Sequence, residues 1–326
     1  MIRVAFLVMA SFLAATNAAA QSASEEAEWP KKVIRFIVSA APGSAGDTVC
    51  RIVAQKLGER LGQQLILDNR AAAAGTIAAE GLARSAPDGY TIGMITTSTH
   101  VIASILNSKL SYDPVKEFAP VSMIGSSPYV LAVYPGLPVK SVAELVALAK
   151  AKPRQLNNAA FGTTSLGHLA SVLFASAAGI EINHVPYRSS AQAVLDAVAG
   201  RIDMQFSTLP PAIPLIREGK LRALGTTGAK RVASLPDVPT LAEAGMTGYE
   251  VSLWIGIAAP VGTPRSIVSR LNQEMSKILA LPEITTALLQ QGTTAEPGSP
   301  EDLGQRIGSD TGKWREVITK AGIKAE

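Results

Sequence analysis

The stretch VIRFIVSAAPGSAGDTVCRIVAQKLGERLGQQLILDNR, residues 33–70, decides the fold class. Val33 to Ala40 reads as a buried strand, a short apolar run stopped by the turn Ala41-Pro42-Gly43-Ser44. From about Asp47 to Leu61 the period changes. Val49, Val53, Leu57 and Leu61 recur every four residues and give a helix one apolar face. Leu65 to Asn69 then reads as a second short strand. A strand, a helix and a strand so closely spaced form a βαβ unit, and its crossover lays the two strands parallel in one sheet.

The alternation continues outward from this unit. A helix is expected over Thr76 to Ser85, then a turn at Pro87-Asp88-Gly89 and a strand over Thr91 to Thr97. Ser141 and Glu144 form a capping box for a helix that Pro153 stops. Ser165 to Ala178 is helical with Leu169, Val172 and Leu173 inward, and Ile182 to Tyr187 is a strand. Ser189 and Gln192 make a second capping box for a helix through Ala199. Asp203–Phe206 and Leu221–Thr226 are strands. Thr263 is placed to cap a helix with Pro264 at its first position, and Ser299-Pro300 repeats the arrangement.

Two apolar, β-rich runs are longer than their neighbours, Val121 to Val133 and Tyr249 to Ala259. If both are hinge strands, residues 21–127 and 248–326 form one lobe and 128–247 the other. The competing reading is a single sheet with two long central strands, and periodicity does not choose between them. Ahead of all this stands MIRVAFLVMASFLAATNAAA. Arg3 gives a positive start, Val4 to Leu13 an apolar run, and Ala18 and Ala20 an A-x-A site before Gln21. The apolar run is far short of the roughly 20 residues that span a bilayer. Residues 1–20 are therefore expected to be a secretory signal peptide, cleaved after Ala20, that exports the chain to the periplasm.

Composition supports a packed α/β core: 47% apolar, 17% charged and only 5% aromatic residues. The net charge of +4 fits either an anionic ligand or a mildly basic surface. Lys and Arg form no stripe, so no nucleic-acid partner is expected. Cys50 is the single cysteine, which excludes an internal disulfide and a Cys-based metal cluster. His100, His168 and His184 are scattered. There is no H-E-x-x-H, no phosphate-binding P-loop and no G-x-G-x-x-G, so neither metal nor cofactor is expected.

Thr163-Thr164-Ser165-Leu166-Gly167 resembles a nucleophile elbow but lacks its first glycine. What recurs instead is a Gly-, Ser- or Thr-rich loop opening a helix after a strand: Pro42–Asp47, Gly162–Gly167 and Tyr187–Ser190. N–H groups at a helix start, with the helix dipole, bind anions without a charged side chain. Ordinary capping explains any one loop, and the three together suggest a carboxylate site.

The chain resembles the substrate-binding receptors of tripartite tricarboxylate transporters, also called Bug proteins. The resemblance rests on Pro42-Gly43-Ser44-Ala45-Gly46-Asp47, Leu61-Gly62-Gln63, Asp68-Asn69-Arg70 with Gly75, and Pro87-Asp88-Gly89-Tyr90-Thr91. It continues through Tyr112-Asp113-Pro114, Gly167-His168-Leu169-Ala170, Val185-Pro186-Tyr187, Gly219 to Leu224, Leu235 to Thr240, and Ala259-Pro260 with Thr263-Pro264. It implies a type II periplasmic binding protein fold: α/β, two lobes joined by β-strand hinges, with the ligand cleft between them.

It further implies a non-enzymatic receptor for a di- or tricarboxylate, an acidic amino acid or an aromatic acid. Its partners would be the membrane components of the transporter, and the receptor would act as a monomer. Carried over by position, the ligand meets Gly43, Ser44, Asp47 and Ser98, then Thr163, Thr164 and Ser165 with His168, while Tyr187, Ser189 and Ser207 close from the other side. The chain departs from the family pattern at Ser44, Ala71 to Ala74, Ala103, Ser189 and Ser207. A receptor that reports to a membrane sensor kinase shares these features. A serine hydrolase built on Ser165 is the remaining alternative.

Overall fold

The computed structural model describes residues 29–160, 165–187, 190–320 and 322–323. The elements run β1 (Ile34–Val38), α1 (Ala45–Leu61), β2 (Leu65–Asn69), α2 (Thr76–Ala83), β3 (Thr91–Thr96), α3 (Ala103–Leu106), β4 (Phe118–Val133) and α4 (Val142–Ala151). Then come β5 (Asn157–Ala160), α5 (Leu166–Ala178), β6 (Asn183–Pro186), α6 (Ser190–Val198), β7 (Met204–Thr208), α7 (Leu209–Arg217) and β8 (Arg222–Thr226). The chain finishes with β9 (Ser252–Pro260), α8 (Arg265–Leu279), α9 (Pro282–Gln290), β10 (Thr294–Ala295) and α10 (Pro300–Lys320).

The opening unit forms as its sequence directs. Ser44 caps α1 by accepting from the Asp47 N–H at 3.4 Å, and Gly62 ends it in the left-handed conformation at φ 70°. Val49, Val53, Leu57 and Leu61 are buried. They pack with Ile34, Phe36 and Val38 of β1 and with Ile267, Leu271 and Met275 of α8. Ile37, on the opposite face of β1, packs with Ala78 and Leu82 of α2. Helices thus cover both faces, which is why β3 is buried at every position. Each fully buried large aliphatic side chain contributes about 1.5–3 kcal/mol.

The strands follow one path, β2-β1-β3-β9-β4-β7-β5-β6, with β8 and β10 also bonded to β4. The long β4 belongs to both halves. Phe118 to Pro128 pairs with β9, and Tyr129 to Val133 pairs with β7 and β8. The chain crosses back beside it. The Thr227 N–H donates to the Tyr129 carbonyl at 2.9 Å, and the Val251 N–H donates to the Thr227 carbonyl at 2.8 Å. The first long run is therefore a strand that starts earlier than its sequence suggests and lies in the middle of one continuous sheet. In the second, only Ser252 onward is strand, and the chain before it is tied to β4 through single bonds around Thr227 and Val251.

Local departures have local causes. Thr263 does not cap a helix: its hydroxyl donates to the Pro260 carbonyl at 2.8 Å and closes a turn, and Pro264 stands outside α8 with ψ 136°. Ser141 caps α4, but Glu144 accepts from Lys140 N rather than returning to Ser141. Leu166, Leu169, Ala170 and Phe174 face inward on α5, whereas Val172 and Leu173 are half-buried. Leu209–Arg217 is helical although it carries Pro210, Pro211 and Pro214, because two of the three lie in its first turn.

Candidate ligand-binding site

Strand register places the site. Thr96 at the end of β3 lies opposite Ile255, and Ile255 lies opposite Gly125 of β4. Thr208 at the end of β7 lies opposite Tyr129. The carboxyl ends of β1–β3 and of β5–β7 therefore face each other around residues 125–129 of β4. Open α/β sheets bind ligands outside their strand carboxyl ends, and here two such sets of ends face each other, which makes the space between them the candidate site. α1 and α5 each start just after such a strand end, so their N–H groups and dipoles favour an anion there.

On the first side three loops meet tightly. A Cβ added to Gly75, which has φ +89°, would lie 2.8 Å from the Ser39 Cβ and 3.0 Å from the Thr99 Cγ2. The approach to that glycine is strained, with Ala73 and Ala74 in left-handed conformations at φ 51° and 53°. Thr97 and Thr99 are buried. Thr97 Oγ1 accepts from the Trp254 N–H at 3.1 Å, and the Thr99 carbonyl accepts from the Tyr112 hydroxyl at 2.6 Å. Ser98 is half-buried between them and is the residue of this turn left facing outward.

Asp47 has a different task from the one its position suggests. It is 1% exposed, and its carboxylate accepts from Gly43 N, Arg51 Nε and Asn69 Nδ2, each at 2.8 Å. Burial pushes this carboxyl up, but the hydrogen bonds from Arg51, Asn69 and Gly43 outweigh it and hold the group below the usual carboxylate range. Asn69 also donates to the Ala40 carbonyl at 2.9 Å. Asp47 therefore fixes the loop, and the Gly43 N–H is spent on Asp47. Ser44 keeps its hydroxyl at the helix start.

On the second side Ser165 is half-buried and caps α5, accepting from the His168 N–H at 3.2 Å. The His168 ring packs edge-to-face on His184 at 4.7 Å, and His184 Nδ1 meets Asn158 and Ser171. Burial, reinforced by His184, pushes the His168 imidazole down to about 4, and burial lowers His184 as well. The elbow chemistry has no support here: the Ser165 hydroxyl accepts from the His168 backbone N–H rather than meeting its ring, and among the described residues the His168 Nδ1 has no hydrogen-bond partner. The Tyr187 hydroxyl donates to Asp196 at 2.8 Å and is thereby turned into the protein. Ser207 is fully buried, with its hydroxyl on the Thr208 carbonyl. Thr163, Thr164 and Ser189 lie outside the described residues, as does the Arg188 beside them.

Sequence reasoning missed Arg51, Asn69, Gly75 and His184 as site-shaping residues. Asn69 and Gly75 stand in motif segments, which was the available signal. Arg51 and His184 have no local signature. Among the described residues no group of three or more His, Cys, Asp or Glu is arranged to hold a metal.

The model of the tripartite tricarboxylate transporter family receptor matches residues 49–323. The chain belongs to this family. The receptor is 37% identical over 319 residues to the UPF0065 protein of the tcbD-tcbE intergenic region of Pseudomonas sp. strain P51, covering 98% of this chain and 95% of the relative. It is 32% identical to the protein BugT of Bordetella pertussis, with 97% of each chain covered. Among solved structures, an R. palustris protein with adipate superposes with a TM-score of 0.84 at 36% identity, covering 91% of the receptor and 100% of that chain. MatC of Rhodopseudomonas palustris with bound malate gives a TM-score of 0.78 at 31% identity, covering 89% and 100%. The fold is thus that of the periplasmic binding proteins, and the family is one of solute receptors rather than enzymes.

Proposed function

We propose that the chain is a periplasmic receptor that closes over a small organic carboxylate and delivers it to the membrane components of a tripartite tricarboxylate transporter. The observation that carries this reading is the strand register, which turns two sets of strand carboxyl ends toward each other across residues 125–129 of β4, with α1 and α5 each starting just after one of those strand ends. Adipate and malate, held by two of the structural relatives, are both dicarboxylic acids. Residues 21–127 and 248–326 would form one lobe and 128–247 the other, with β4 and the Thr227–Val251 crossing as hinges. Residues 1–20 would be removed on export. Among the described residues no helix is long and apolar enough to cross a membrane.

Ser44, Ser98 and Ser165 supply donors from the described residues, and Thr163, Thr164 and Ser189 would add theirs. His168 adds a neutral ring at the mouth, while Asp47 and Tyr187 hold their loops. A ligand of about ten heavy atoms, at roughly −0.8 to −1 kcal/mol per atom, binds at micromolar affinity or tighter. Mass spectrometry of small molecules released from the freshly purified, denatured protein tests the reading. A stoichiometric organic acid is expected; a sugar or a cation in its place would overturn it.

A further inference from the structure

Thr208 is the last residue of β7 and the N-cap of α7. A threonine there ordinarily accepts a hydrogen bond from the N–H of the second or third helical residue. In α7 those residues are Pro210 and Pro211, which have no N–H. The Thr208 side chain accordingly makes no capping bond, and its hydroxyl is left over. Thr208 is half-buried, whereas the rest of β7 is buried, so the strand opens at this residue.

Tyr129 of β4 lies directly opposite Thr208, on the same face of the sheet. Phe206 and Leu131 share that face, where Phe206 meets Phe174 of α5. Leu131 and Val133 follow Tyr129 along it and are fully buried. The part of Tyr129 that stays open therefore looks the other way, toward the space between the facing strand ends. Its ring rests on the first turn of α5: a Cβ added to Gly167 would lie 3.2 Å from the Tyr129 Cε1 and 3.3 Å from the Phe206 carbonyl oxygen. Gly167 thus lets the helix start, with Ser165, sit close on both strands. The Tyr129 hydroxyl is not one of the side-chain oxygens shut in without a partner. Burial pushes the phenol up, so it keeps its proton and donates.

We propose that Thr208 and Tyr129 form a specificity-determining pair of hydroxyls that reads the far polar end of the ligand. Thr208 donates to the second carboxylate from the strand end, and Tyr129, on its longer arm, from the α5 side. The receptor then prefers diacids to monoacids of the same carbon skeleton. The inference rests on the carboxylate-receptor reading above and deepens it.

The test is calorimetric titration of the parent, Thr208→Val and Tyr129→Phe with three matched pairs: adipate with hexanoate, malate with 2-hydroxybutyrate, and phthalate with benzoate. The parent should favour the diacid in at least one pair. Each variant removes a hydroxyl and little else. Each should weaken that diacid by about tenfold or more while the monoacid stays within about twofold. Thr208→Ser keeps the hydroxyl and should hold the diacid within about twofold of the parent. Without ligand, Thr208→Val and Tyr129→Phe should melt with the parent, because neither hydroxyl holds the fold. A lower melting temperature or failure to fold in either marks a structural hydroxyl and overturns the pair. So does a parent without diacid preference, an unchanged preference in either variant, an equal loss for both acids, or a Thr208→Ser loss as large as that of Thr208→Val. A parent that binds none of the six acids overturns the carboxylate reading itself.

Discussion

Replacing Asp47 by alanine separates a loop-holding carboxylate from one that faces the ligand. The substitution removes the acceptor of three hydrogen bonds. Arg51 is exposed and regains water, so it is left out of the sum. Asn69 keeps its bond to the Ala40 carbonyl but loses one N–H partner, and the Gly43 N–H loses its Asp47 acceptor. Two part-buried donors left unpaired cost about 1–3 kcal/mol each. Partial access to water keeps the expected loss at about 2–4 kcal/mol, read by urea unfolding at pH 7.

The Asp47 carboxyl is held below its ordinary value of 3.8. Its contribution is therefore present above that pH and fades as pH falls through the lower, folded value. The deficit of Asp47→Ala should stay constant from pH 7 to pH 5 and shrink only in stronger acid. Anion affinity discriminates further. A loosened Gly43–Asp47 loop weakens binding of the carboxylate, whereas removal of a negative charge facing the ligand would strengthen it. Tighter anion binding with a stability change below about 0.5 kcal/mol would refute the loop-holding role.

Burial holds the His100 imidazole near 3 and the His168 imidazole near 4. Both rings fold neutral, so the unfolded chain binds more protons below pH 6.5, and thermal stability should decline steadily from there toward pH 4; a flat profile over that window would contradict the assignment. Ala74→Gly relieves a left-handed alanine next to Gly75 and should raise stability by about 0.5–1 kcal/mol after the entropy of glycine is counted, measured as a shift in melting temperature. Ser165→Ala removes the α5 cap and should cost about 0.5–2 kcal/mol with a modest loss of ligand affinity, and ester turnover present in the parent but absent in this variant would revive the hydrolase reading.

The fold was legible where one physical pattern dominates. The four-residue spacing from Val49 to Leu61 and the short apolar strands around it specify the βαβ unit, because burial alone selects those positions. The helix Leu209–Arg217 was hidden by its prolines, and the start of α8 by a threonine whose hydroxyl closes a turn. The crevice loops were legible as loops. Their division of labour was not, since it depends on partners distant in sequence. Asp47 is committed by Asn69, Tyr187 by Asp196, and the His168 ring by His184. The Gln205 amide in β7, buried without a hydrogen-bond partner among the described residues, leaves no trace in any sequence pattern, because the lack of a partner exists only in three dimensions.

Amide hydrogen exchange, with and without a saturating dicarboxylate such as adipate or malate, tests the central claim most directly. The account expects new protection on both sides of the crevice at once. On the first side it should appear in Gly43–Asp47 and around Ser98, on the second at the start of α5 from Ser165 to His168 and at the end of β7 near Ser207. Protection confined to one side, or confined to surfaces away from residues 125–129 of β4, would contradict capture of the ligand between the two halves of the sheet.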